Sequence, residues 1–401
     1  MYFLDKLTFA NRIKTARIFF IFSALYGLFL RFLKITTIFP VTYKHILEGH
    51  SHVAFLGWGF LAVITLIDFA FLNNSVKRSK YLKILYLLMA FSILGMLFSF
   101  PFQGYHFFSI LFLSVFLIVS YLYLWKTLQL LQKNTDLASR FIKSGIYFYF
   151  LSSIAIWSIG IIAIKIGKQI LYYDTIYFYM HFLYNGFFVF SLFGLLYRYI
   201  QKNKIPVKSI YLKRFYWFTL AACIPAYALS LLWVVMPNYV YVIAFIAGFL
   251  QLISLFYLFG IVKMVFKKIP EKWIRLLFFS IIGSYFLKIT FQFLSVFPFF
   301  MHKAIQLKPF FIIGYLHLFT LGFMSLFIIL LLVLLPKVNL SKIGIFILVL
   351  GILLSELLLF GQGILMLFSK GIPNLNAILF SASILMPLGI LIIHFRKKSI
   401  R

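Results

Sequence analysis

Residues 45–72 read HILEGHSHVAFLGWGFLAVITLIDFAFL, and this stretch decides the fold. Its first eight residues hold His45, Glu48, His50 and His52, and from Val53 to Ile67 no charged residue follows. As a helix rising about 1.5 Å per residue, the run is long enough to cross the roughly 30 Å of bilayer hydrocarbon. Its polar, histidine-rich start would then lie toward one membrane face.

The rest of the chain is built alike. Of 401 residues, 64% are hydrophobic and 11% charged, with 54 Phe and a mean hydropathy of +1.05. A soluble domain needs roughly a quarter of its residues charged, so that class is excluded. Disorder needs low hydrophobicity, and a β-barrel needs short alternating segments, whereas these apolar runs are continuous. The expectation is an all-α polytopic membrane protein, one integral domain over 1–401. Twelve spans are read at 15–39, 45–72, 81–100, 105–131, 141–166, 174–199, 211–235, 238–265, 273–298, 309–335, 341–367 and 374–395. The first apolar run continues into a full span and is read as a helix, not a cleavable signal.

The net charge of +31 comes from 38 Lys and Arg against 7 Asp and Glu. Taken in alternate loops, 29 of the cations fall on one side of the spans and five on the other, with Arg31, Lys34, Lys165 and Lys288 inside them. Cations collect in cytoplasmic loops, so both termini are placed in the cytoplasm, and the basic charge needs no nucleic-acid partner. The single Cys223 excludes an internal disulfide and a Cys-rich metal site. No loop is long enough to fold as a separate domain, so the chemistry must sit in the membrane or at its rims.

Two other stretches repeat the opening one. HVAFLGW at His52, HFLYNGF at His181 and HLFTLGF at His317 each place glycine five residues on (Gly57, Gly186, Gly322), followed by Trp58, Phe187 or Phe323. The three lie on spans 2, 6 and 10, each roughly 11 Å below the outer rim by helical rise. This predicts three pseudo-symmetric four-helix repeats, about 1–140, 141–270 and 271–401, each with its histidine on the second helix.

An ionisable side chain inside a membrane is functional by default. Imidazole ligates haem iron, copper and zinc, and a glycine five residues on lets a macrocycle or a second helix approach. The alternative reading of each histidine is a helix–helix hydrogen bond. Twelve spans in three arcs with histidines on spans 2, 6 and 10, together with GHSHVAFLGW at Gly49–Trp58, resemble the main subunit of haem–copper oxidases and nitric oxide reductases. The chain is also similar to the haem- and copper-containing membrane proteins of the nitric-oxide response. That resemblance implies a bacterial cytoplasmic-membrane oxidoreductase with haem b. His52 and His317 would be axial ligands, with His50 the alternative to His52, and His181 would be the first ligand of a copper. Arg31 and Lys288 would face propionates, and quinol or other respiratory subunits would be the partners.

The sequence departs from this family at three places. Span 7 has no histidine, Phe319 stands where a His-x-His pair would end, and Tyr184 and Asn185 stand three and four residues after His181, where the family's tyrosine occupies the fourth. A complete oxygen-reducing centre is therefore not expected. A reading without haem remains open: the His52, His181 and His317 layer would bind a single zinc or copper ion, or line a transport path for protons, a metal ion or a small anion. Snorkelling to the headgroups is the alternative for Arg31, Lys34 and Lys165. Glu48, sharing a helix face with His45 and His52, and Glu356, near the middle of span 11 with Gln362 beyond it, are proton-relay candidates. His106, His302 and His394 fall at span ends or in loops.

Overall fold

All regular structure among the described residues is helical. The computed structural model describes residues 7–36, 38–72, 79–336 and 338–395; Lys6, Lys77, Arg78, Lys337 and the cations of 396–401, counted above for topology, lie outside them. Among the described residues, eleven helices are long and apolar enough to cross a membrane. They are α1 (Phe9–Phe32), α2 (Tyr43–Phe71), α3 (Lys80–Gln103), α4 (Phe107–Leu131), α5 (Leu137–Lys165), α6 (Ile170–Lys202), α9 (Asn238–Lys268), α10 (Lys272–Leu294), α12 (Lys308–Leu334), α13 (Lys342–Leu367) and α14 (Leu375–His394). Between α6 and α9 lie α7 (Ser209–Cys223) and the short α8 (Tyr227–Leu231), and α11 (Pro298–Gln306) precedes α12.

The seventh expected span is thus divided. Ile224, Pro225 and Ala226 form a turn between α7 and α8. Proline in a helix interior lacks the N–H for the ladder, and its ring clashes with the carbonyl four residues back. Elsewhere polar side chains start the helices. Thr8, Asp136 and Ser341 accept the backbone N–H of Asn11, Ser139 and Gly344 at the starts of α1, α5 and α13. Burial pushes the Asp136 carboxyl up, but hydrogen bonds from Ser139 and Gln201 outweigh it and hold the group below its ordinary value.

Two units make up the chain, residues 1–130 with 331–401 and residues 131–330. In unit 1, α1 packs on α2 and α14, α2 on α3, and α13 on α14. In unit 2, α5 packs on α6, α7 on α9, α9 on α10, and α10 on α12. The helices that carry the three motif histidines are the interior ones. The most apolar stretches of α2, α6 and α12 are 78%, 89% and 72% buried, against 33–44% for the other eight. The eight less buried helices turn apolar faces outward, as lipid requires.

Each interior helix changes its winding at the same place. A π-helical segment begins directly after each motif histidine: Val53–Phe60 after His52, Phe182–Phe188 after His181 and Leu318–Ser325 after His317. Such segments are rare and concentrate at functional sites. Each contains the Gly-aromatic pair, which sets a close helix approach. A Cβ on Gly57 would lie 2.7 Å from Phe19 Cβ, one on Gly322 would lie 2.6 Å from Ser284 Oγ, and one on Gly186 would collide with Phe148 Cβ. Phe19, Phe148 and Ser284 each stand 38 residues before their glycine. The next aromatic keeps that register. Trp58 stacks on Phe20 at 4.5 Å between ring centroids, Phe187 meets Tyr149 at 5.3 Å, and Phe323 meets Tyr285 at 4.8 Å.

Candidate functional site

His52 belongs to unit 1 and is half-buried at the end of the α-helical part of α2. Its Nδ1 lies 2.8 Å from the Glu48 backbone oxygen. A carbonyl only accepts, so Nδ1 carries the proton and Nε2 is left as the acceptor. The Tyr105 hydroxyl lies 3.2 Å from Nε2. Phe100 stacks on the ring with centroids 4.5 Å apart. The Glu48 backbone carbonyl, not its carboxylate, thus orients His52. The carboxylate of Glu48 lies 3.9 Å from Lys44 and beside Gly104, whose φ of +60° leaves room there for the His45 ring.

His50 turns the other way, as expected of a residue two positions from His52. Its Nδ1 donates to the Ser23 carbonyl of α1 at 2.8 Å, again leaving Nε2 as the acceptor. A Cβ on Gly27 would lie 3.0 Å from the ring, so only glycine leaves the imidazole this place. Arg31 closes the same end of α1. It interacts electrostatically with Tyr43 and Glu356, and its Nη2 is buried without a hydrogen bond. Two residues chosen separately from the sequence, Arg31 and Glu356, are thereby brought together. Gln362 Oε1 accepts the Ile372 backbone N–H at 2.7 Å.

His181, in unit 2, is buried and fully engaged. Nε2 donates to the Cys223 carbonyl at 2.8 Å, and Nδ1 therefore accepts, from Asn185 Nδ2 at 3.2 Å. Asn185 Oδ1 in turn accepts from Lys288 Nζ. A directional chain results, running from Lys288 Nζ through Asn185 and His181 to the Cys223 carbonyl. Lys288 is 2% exposed and lies 5.5 Å from the centroid of the Tyr285 ring. Lys165, by contrast, is exposed. His317 is half-buried on α12, which meets α6 through Tyr184 stacked on Phe319 at 5.0 Å. His106 and His302 are exposed, and His394 is half-buried.

Among the described residues, no three His, Cys, Asp or Glu side chains are grouped to hold a metal ion. One buried cluster escaped the sequence reading. Arg12 Nη1 pairs with Asp68 Oδ2 at 2.7 Å, and Arg12 Nη2 donates to the Tyr123 hydroxyl at 2.6 Å. Tyr123 donates to Asp68, and Tyr86 donates to the Arg12 carbonyl at 2.8 Å beneath the guanidinium. Arg12 counts in the sequence as one more cytoplasmic cation; the signal for its burial is Asp68, an acid inside a span. Compared with known proteins, the chain matches no family model and no curated protein.

Proposed function

We propose that the protein binds b-type haem in the bacterial cytoplasmic membrane and serves redox or nitric-oxide-related chemistry. In this reading it has twelve crossings in three four-helix repeats, with both termini in the cytoplasm. The observation that carries it is the tethered imidazole of His52. Metal-ligating histidines typically donate their second ring N–H to a carbonyl or carboxylate, which fixes ring and tautomer. His52 has that arrangement, with a phenol hydroxyl where a metal would sit. His50 has it too, on Ser23, and is the alternative ligand. The resemblance assigns the second axial position to His317.

The shared register of α1 with α2, α5 with α6 and α10 with α12 supports the repeat. The buried, unpartnered Nη2 of Arg31 offers a donor for a propionate. Haem iron, when bound, would supply a one-electron couple. Phe100 and the Glu48 carbonyl hold the imidazole plane. The electron donor is quinol or another membrane subunit. Copper or zinc at His181 would take its Nδ1, which accepts from Asn185 Nδ2 at 3.2 Å, while Nε2 stays tethered to the Cys223 carbonyl.

The test is the dithionite-reduced minus oxidised optical spectrum of detergent-purified protein, with iron quantified on the same sample. The expected result is sharp haem bands that are lost in His52→Ala and in His317→Ala. Colourless protein, purified after expression with ample haem, overturns the reading.

A further inference from the structure

Lys288 has three N–H donors and one acceptor, Asn185 Oδ1. Among the described residues no carboxylate pairs with it. Beside it lies a cavity in unit 2 with about 10 Å³ open to the centre of a water molecule, room for one water or one ion of similar size. Asn185, Thr219, Gln251, Ser254 and Tyr285 share its wall with Lys288. Thr219 and Gln251 are 8% and 7% exposed, and Thr219 Oγ1 and Gln251 Oε1 make no hydrogen bond. A buried lysine without a counter-charge sheds its proton rather than carry the charge, so an ammonium persists there only with an anion beside it. Water fills the space but does not offset the charge.

We infer that this cavity binds one small monovalent anion of the size of chloride. Lys288 supplies the charge and Thr219 a hydroxyl donor. A half-turn of the Gln251 amide, whose oxygen and nitrogen have nearly the same shape, supplies a third donor. Organic anions are too large for the space. The site lies within unit 2 and does not rest on the haem reading.

Thermal unfolding of the full-length protein in detergent tests this, with sodium chloride titrated against sodium gluconate at constant ionic strength. A ligand bound only by the native state raises Tm. The expected result is a Tm that rises with chloride and levels off, no rise in Lys288→Met, and a midpoint shifted to roughly tenfold higher chloride in Thr219→Val, which loses a hydrogen bond to a charged group. No rise in the native protein, an equal Tm throughout the exchange for gluconate, or an undiminished rise in Lys288→Met would each overturn the site. Should Lys288→Met fail to fold, an unchanged midpoint in Thr219→Val overturns it.

Discussion

The α1–α2 pair of unit 1 and the α5–α6 pair of unit 2 are packed in one register but wired differently. Both bring a glycine onto a phenylalanine 38 residues earlier and stack the following aromatics. Eleven residues past that glycine and seven before that phenylalanine, unit 1 places Asp68 and Arg12, a buried ion pair closed by two tyrosines. Unit 2 places Tyr197 and Phe141 at the same positions, with ring centroids 4.8 Å apart. The histidines diverge in the same way. His52 is half-buried and faces an exchangeable phenol, whereas His181 is buried with both nitrogens engaged. The glycine contact and its aromatic pair set the frame, and the chemistry hung on it is free to differ.

The largest effect should come from the ion pair. A buried pair adds little net stability, but removing one partner strands a charge and costs about 3–5 kcal/mol. Arg12→Met and Asp68→Asn should each lose that much in denaturant unfolding in detergent. The double change Arg12→Phe with Asp68→Tyr imports the aromatic pair of unit 2 and should recover more than half. A double variant as damaged as either single one would break the comparison, because the two positions would then not be interchangeable.

Glycine substitutions sharpen it. Overpacking costs about 1–3 kcal/mol where neighbours cannot yield. Gly186→Ala drives a methyl into Phe148 Cβ and Gly57→Ala drives one toward Phe19 Cβ, atoms fixed to their own helices. Gly322→Ala meets Ser284 Oγ, which a rotamer change removes. The expected order of lost Tm is Gly186→Ala, then Gly57→Ala, then Gly322→Ala. A uniform response would mean that the shared register is not held by this contact.

Much of this frame is legible in the sequence and much of the site is not. The helical membrane class follows from the long apolar runs, and the three equivalent places follow from the spacing of His52, His181 and His317. The division of the seventh span was legible too, since Pro225 stands inside an apolar run, yet hydropathy alone carries that run through. The π segments leave no such trace, because their common feature is a Gly-aromatic pair that ordinary helices also contain. Partners separated by long stretches are hidden for another reason. Lys288 is visible as a cation in a span, but its bond to Asn185, 103 residues away, exists only once helices pack. Arg12 and Asp68 are 56 residues apart and read as unrelated until α1 lies on α2.

The smallest effect tests the two histidines directly. Asn185→Leu removes the acceptor of Lys288 and the donor to His181 Nδ1, both buried, and unsatisfied buried groups cost about 1–3 kcal/mol. Tyr105→Phe removes one hydroxyl from an exposed bond to His52 Nε2, where substitutions stay within about 0.5 kcal/mol. Unfolding of the two variants side by side should separate them by that margin. The iron content of Tyr105→Phe should equal that of the unchanged protein, because the phenol only occupies the face of the imidazole that a metal would take. Loss of iron with unchanged stability would instead make Tyr105 part of the binding site, and His52 would then be less open than its exposed bond at Nε2 implies.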